Sequence, residues 1–134
     1  MKAVPVFYSS DLTRSLAFYT GILDFELRYP TYRELSLSNG VLDLICDAAI
    51  LQLSIHMGRN PTPSSANLEL NDPAEVDALF ARYTQRGLNQ SHRTESPVHL
   101  APLDQTWGTR EMYVRDPDGN SLRFSGPISS ATSY

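Results

Sequence analysis

The sequence predicts an α+β fold built from two similar halves, each running strand, helix, then three strands. Three observations predict it. Short segments alternate apolar and polar residues, as half-buried strands require. Two longer segments place apolar residues at helical spacing, and each follows a strand and an aspartate, Asp11 in one case and Asp72 in the other. Between the halves lies "GRNPTPSS", residues 58–65, rich in Pro, Ser and Gly. At 134 residues a single domain is expected, with module 1 at about 1–57, the linker at 58–65, module 2 at about 66–127 and a tail at 128–134.

Taken in order, "AVPVFYSS" reads as the first strand and "DLTRSLAFYTGIL" as the first helix. Asp11 is its N-cap, and Leu12, Leu16, Tyr19 and Leu23 form its buried stripe. "FELRYPTYRELSLSNGVLDLIC" reads as strands of a meander, with Asn39-Gly40 as the hairpin turn. "ILQLSIHM" alternates Leu51, Leu53 and Ile55 with polar residues and is one more strand; the register between residues 41 and 56 stays open.

The second half opens with the strand "ANLELN" and the helix "DPAEVDALFARYTQRG". Asp72 stands at the N-cap, Pro73 at the first helical position and Glu75 two residues further. Val76, Leu79, Phe80 and Tyr83 are its apolar stripe, and strands are expected near 88–94, 109–115 and 121–125. In "DPDGN", Pro117 presets φ, Gly119 accepts a left-handed conformation and Asp116 bonds the turn backbone.

Alternation assigns faces. Ala66, Leu68 and Leu70, Met112 and Val114, and Leu122 and Phe124 pack beneath the helices. Ser65, Asn67 and Glu69, then Glu111, Tyr113 and Arg115, then Ser121, Arg123 and Ser125 take the opposite face, which meets solvent or lines a cavity.

Composition excludes several classes. The net charge is −4 and no Lys/Arg cluster occurs, so a nucleic-acid or anionic-membrane surface is not expected. A mildly acidic chain suits cationic small molecules. No window approaches a membrane span or a signal peptide, and one cysteine, Cys46, sits in an apolar run as an inert thiol; a cytoplasmic location is expected. No phosphate loop, nucleophile elbow or complete calcium loop is present; Asp116, Asp118 and Asn120 lack the glycine and glutamate that such a loop needs.

"SSDLTRSLAFYTGILDFEL" and "WGTREMYVRDPDGNSLRF" together resemble the vicinal oxygen chelate superfamily of glyoxalases, extradiol dioxygenases and bleomycin-resistance proteins. "AVPVFYSSDL" before a helix is especially similar to the bleomycin-resistance branch. The resemblance implies two βαβββ modules forming an incomplete barrel around a cleft, a homodimer, and ligand sites near the subunit interface. Its enzymes carry one metal ligand on each of four strands. Here those positions would fall on Val4, Ser65, Arg123 and either Ile45 or Ser54, with His56 a donor only if the register slips. Arginine repels a cation, so no metal and no cofactor are expected.

The expected ligand-binding residues are Tyr8, Glu34, Ser36, Asn67, Glu69, Trp107, Glu111, Tyr113 and Arg123, with no catalytic residue assigned. Three carboxylates, a guanidinium, two tyrosines and an indole suit a small cationic or amide-rich molecule with aromatic rings. The resulting expectation is a metal-free binding protein of the bleomycin-resistance type that sequesters an antibiotic or related natural product. The alternative is a lyase, isomerase or dioxygenase-like enzyme of the same superfamily with an atypical or absent metal site, using Glu111 or Glu69 as base.

Overall fold

The two aspartates that open the helices do what their chemistry dictates. Asp11 accepts the backbone N–H of Arg14 at 3.0 Å, and Asp72 accepts that of Ala74 at 2.8 Å, each satisfying a donor that a helix start leaves free. The computed structural model describes residues 1–88 and 100–128. In order these form β1 (Val6–Tyr8), α1 (Leu12–Gly21), β2 (Glu26–Leu27), a 3-10 turn (Pro30–Tyr32), α2 (Arg33–Asn39), β3 (Val41–Cys46) and β4 (Ala49–Ser54). β5 (Ser65–Glu69), α3 (Pro73–Gln85), β6 (Leu103–Asp104), β7 (Thr109–Arg115) and β8 (Ser121–Pro127) follow. The result is an α+β fold with two four-stranded open sheets, ordered β1-β4-β3-β2 and β5-β8-β7-β6. Contacts group Met1–Ser65 with Asp116–Ser121 as one unit, and Ala66–Arg115 with the chain from Leu122 as another.

In the first unit β1 runs parallel to β4, with Val6 opposite Gln52 and Tyr8 opposite Ser54, and β3 is antiparallel to both β4 and β2. Phe7, Leu42, Leu44, Leu51 and Leu53 are buried on one face, and Leu12, Leu16, Tyr19 and Leu23 of the α1 segment are buried as well. Each large apolar side chain buried there contributes roughly 1.5–3 kcal/mol. Tyr19 also stacks edge-to-face on Phe25 at 5.5 Å.

The stretch "TYRELSLSNG" departs from expectation. It is not part of a meander: Pro30 begins a 3-10 turn, Arg33–Asn39 is the helix α2, and Gly40 caps it with φ 81 and ψ 20 while donating its N–H to Ser36. The left-handed glycine that a hairpin would need serves here as a helix C-cap. Alternating Leu and Ser imitates a strand, but Leu35 is 57 % exposed, so no sheet face is built. The hairpin lies later, at Cys46-Asp47-Ala48-Ala49, with Asp47 at φ 51. β6 was not anticipated, and residues 89–94 of the strand expected near 88–94 lie outside the described residues.

The "DPDGN" turn belongs to the first unit and is its polar core. Asp116 Oδ1 accepts the backbone N–H groups of Asp118 and Asn120, and Oδ2 accepts the Tyr19 hydroxyl at 2.7 Å and the Asn120 amide at 2.9 Å. Asn120 in turn donates to the Tyr8 carbonyl and accepts from Ser64 N–H. Four donors favour the carboxylate, yet burial outweighs them and pushes Asp116 above the ordinary carboxylate range. Burial and the adjacent Asp116 also raise Tyr19, keeping it a phenol that donates.

The second unit packs Val76 and Tyr83 of α3 with Met112, Val114, Leu122 and Phe124, all buried; Leu79 and Phe80 are only half-buried. Arg110, on the same face of β7 as Met112, reaches Asp77 of α3 at 2.8 Å and Asp104 at 2.8 Å. At Gly126 the chain passes so close to the start of α3 that an added Cβ would stand 2.7 Å from the Asp72 carbonyl oxygen.

Asp116→Asn turns one acceptor oxygen into a donor facing donors, and a loss of about 2 kcal/mol is expected at neutral pH by urea unfolding. A raised folded pKa means stability that is complete below the unfolded value and lost as pH rises through the folded one. The penalty of Asp116→Asn is therefore larger near the ordinary carboxylate pKa than at neutrality, opposite to an ion-paired aspartate. Gly126→Ala must push β8 away from rigid backbone, and a loss of about 2 kcal/mol is expected in the same assay.

Candidate ligand-binding site

Five of the nine expected site residues share one face of the second sheet. On β7, Met112 and Val114 point to α3, so Thr109, Glu111, Tyr113 and Arg115 take the other side. On β8, Leu122 and Phe124 are buried, which leaves Arg123 and Ser125 opposite; on β5, Asn67 and Glu69 are the exposed members. Leu103 of β6 pairs with Glu111 and lies on the same face. From edge to edge the face therefore carries Asn67 and Glu69, then Arg123 and Ser125, then Glu111 and Tyr113, then Leu103.

Glu111 is the most constrained of these. It is 2 % exposed, although it is a carboxylate. Its Oε2 accepts the Trp107 indole N–H at 3.1 Å and the Thr109 hydroxyl at 2.6 Å. Its Oε1 is buried with no hydrogen-bond partner among the described residues. A buried acceptor without a donor costs about 1–3 kcal/mol, more where the group is charged, so this is a vacancy held against stability. Trp107 sits in the turn before β7 and is 64 % exposed, with only its N–H engaged. Ile128 donates its backbone N–H to the neighbouring Gly108 and is 41 % exposed, and Leu103 is 50 % exposed. Trp107, Leu103 and Ile128 are thus exposed apolar side chains near a buried carboxylate.

Arg123 is half-buried. Its Nε donates to Asn67 Oδ1 at 3.2 Å, and Ser125 Oγ donates to the same oxygen at 3.0 Å. Among the described residues no ion pair joins it to Glu111 or Glu69, although such a pairing suits the composition of the face.

The remaining expected residues are distributed differently. Tyr8 lies on β1, half-buried on the face away from Phe7. Glu34 and Ser36 belong to α2 and not to a strand; Glu34 is exposed and paired with its neighbour Arg33. The sequence reading passed over Asp43 and Gln52, which the first sheet presents on the face away from its core. Asp43 accepts from Gln52 Nε2 at 2.9 Å and from Arg28 at 3.3 Å. Each is a polar residue flanked by two leucines, in "LDL" and "LQL", which is the signal that would have found them.

The internal repeat settles the position that register left open. Ser9 N–H donates to the Ser54 carbonyl and Leu70 N–H to the Ser125 carbonyl, each two residues before a capping aspartate. Counting back two residues on β4 and β8 makes Gln52 the counterpart of Arg123, so neither Ile45 nor Ser54 holds that place. The four positions that the resemblance implies then fall on Val4, Gln52, Ser65 and Arg123. Gln52 is the one good donor, and it is turned to Asp43 through its amide. His56 lies beyond β4 with its Nε2 on the Asn39 carbonyl at 2.9 Å, and His92 and His99 lie outside the described residues. These side chains do not fit a divalent metal: a site needs roughly three protein ligands and tolerates no guanidinium among them.

A family model described as Glyoxalase/Bleomycin resistance protein/Dioxygenase superfamily matches residues 4–124. The chain belongs to this superfamily. Among solved structures, a bleomycin resistance determinant encoded on the transposon Tn5 shares 24 % identity and a TM-score of 0.72, with 95 % of this chain and 98 % of that one covered. A bleomycin-binding protein complexed with bleomycin shares 23 % identity and a TM-score of 0.71, with coverage of 94 % and 98 %. A lactoylglutathione lyase from Agrobacterium tumefaciens shares 19 % identity and a TM-score of 0.69, with coverage of 93 % and 92 %. At these identities the likeness speaks for the superfamily fold. No curated protein matches the sequence. No helix among the described residues is long and apolar enough to cross a membrane.

Glu111→Gln removes the charge and keeps an acceptor for Trp107 and Thr109. It is expected to raise unfolding free energy by about 1 kcal/mol in urea titration, the sign of a residue kept for function.

Proposed function

We propose that this superfamily member is a metal-free binding protein that sequesters an antibiotic or related natural product, acting in the cytoplasm as a homodimer with the ligand in an interface cleft. The observation that carries this reading is Glu111, a buried carboxylate with one free oxygen beneath the exposed indole of Trp107. Ring area is gained on the indole at little entropic cost, and a ligand N–H on Oε1 fills the vacancy. Tyr113, Asn67, Glu69 and Arg123 add polar contacts on the same face. Tyr8, Glu34 and Ser36, on β1 and α2 of the first unit, are the further ligand-binding candidates. Sequestration lowers the free drug concentration, so no bond is made or broken.

The same carboxylate supports one second reading, a metal-independent lyase or isomerase with Glu111 as base. Recovery of the ligand separates the two: a binding protein returns it chemically unchanged.

Bleomycin is the probe, because two similar folds bind it or confer resistance to it. Trp107 is the only tryptophan, so its fluorescence reports the site directly. Bleomycin is expected to quench it saturably, and Glu111→Gln and Trp107→Ala are each expected to weaken affinity roughly tenfold or more, the latter followed by equilibrium dialysis. Unchanged affinity in the double variant Trp107→Ala/Glu111→Ala would remove the site from consideration.

A further inference from the structure

We infer that Arg123 is an oxyanion subsite, so that the molecule taken by this face carries a carboxylate or phosphoryl group as well as a cationic or N–H-bearing one. This rests on the reading of the second sheet's outer face as the ligand site, and it specifies what that face selects.

Arg123 stands on β8, between β5 with Asn67 and Glu69 and β7 with Glu111 and Tyr113. Neighbouring strands lie about 4.8 Å apart, so a single small molecule spans from β8 to β7. Among the described residues only one of its five N–H groups is engaged: Nε, held by Asn67 Oδ1. That oxygen is itself fixed by the Ser125 hydroxyl from two residues along the same strand. The guanidinium is thus oriented by a neutral amide, which cancels none of its charge, and both terminal nitrogens stay free. A planar fork presented this way matches two oxygens of a carboxylate or phosphoryl group, giving two parallel charge-assisted bonds.

Glu111 and Glu69 lie on flanking strands of the same face, yet neither pairs with Arg123. Among the described residues the face therefore holds a guanidinium with unengaged terminal nitrogens on β8 and a buried carboxylate oxygen without a partner, Glu111 Oε1, on the adjacent β7. Two unsatisfied groups of opposite sign on adjacent strands select a zwitterion. A purely cationic ligand satisfies Glu111 and meets repulsion at Arg123; a purely anionic one does the reverse.

Four small probes that share a phenyl ring test this on the full chain by ligand-observed NMR: phenethylamine, 3-phenylpropionate, phenylalanine and 2-phenylethylphosphonate. Phenylalanine is expected to bind roughly tenfold or more tightly than phenethylamine, the worth of a charge-assisted bond. Arg123→Gln should erase that advantage and leave phenethylamine no weaker. Arg123→Lys should restore it only in part, because an ammonium offers a point charge and no fork. Whichever of phenylpropionate and the phosphonate binds more tightly to the wild type identifies the oxyanion as carboxylate or phosphoryl. Equal affinity for phenylalanine and phenethylamine in the wild type, including no detectable binding of either, overturns the inference, as does an advantage that survives Arg123→Gln. Phenethylamine against Trp107→Ala/Glu111→Ala reports separately on the underlying site: loss there with no effect of Arg123→Gln keeps the site and removes only the oxyanion role.

Discussion

Four donors converge on the carboxylate of Asp116, and the placement of everything after residue 115 depends on them. Two come from the backbone of its own turn, one from Asn120 and one from Tyr19, the buried tyrosine of α1. The turn must close in this form for β8 to begin at Ser121, and a one-residue slip in β8 would send Arg123 to the core and Phe124 to the outer face. The most conspicuous acidic cluster in the sequence is thus scaffolding. Its carboxyl is raised by burial and not tuned by a substrate, and each of its oxygens already holds two bonds.

Replacement of acidic or neutral metal donors by arginine changes what the fold can do. A divalent ion brings its own charge into a site and polarises whatever binds; a guanidinium brings one positive charge, no open coordination position and a fixed set of donors. With Val4, Gln52, Ser65 and Arg123 at the positions the resemblance implies, the proposed chemistry of this chain is recognition through hydrogen bonds, charge and ring stacking. The superfamily fold supplies rigid sheets on which such groups are held. Which of them are free to bind is decided residue by residue.

Much of the fold was legible because its signals are local. Asp11 and Asp72 announce helix starts through capping chemistry, and the alternation in "REMYVR" and "SLRFS" assigns faces correctly, since one face must be buried. The face that carries the proposed site was legible to the same degree, as the placement of Asn67, Glu69, Glu111, Tyr113 and Arg123 on one side of the sheet follows from that alternation. What failed was residues 30–40. There a Leu/Ser alternation imitates a strand and Asn-Gly imitates a hairpin, and only tertiary context decides that Gly40 caps a helix. Glu34 and Ser36 lie in that stretch and stand on a helix where a strand was expected. The engagement of a side chain is also invisible in sequence: nothing in "WGTRE" states that Trp107 N–H occupies one oxygen of Glu111 and leaves the other bare.

That difference between engaged and bare groups separates the two sheets. On the first, Arg28, Asp43 and Gln52 satisfy one another across adjacent strands, a closed set in which each oxygen of Asp43 has its own donor. On the second, Arg123 is aimed by Asn67 but not neutralised, and Glu111 is buried with an oxygen unfilled. Both arrangements occupy the outward face of a sheet of the same topology, and both contain an acid and an arginine. A carboxylate whose two oxygens each hold a donor, as in Asp43, gains little from a ligand, because a bond offered there competes with one already made. An open set gains the full worth of each new bond, since the free protein already bears the cost of leaving it unmade. The internal repeat thus keeps its strand order while the polar groups on its two sheets differ in how far they are engaged, and on the proposed function the second sheet is the one that a ligand completes.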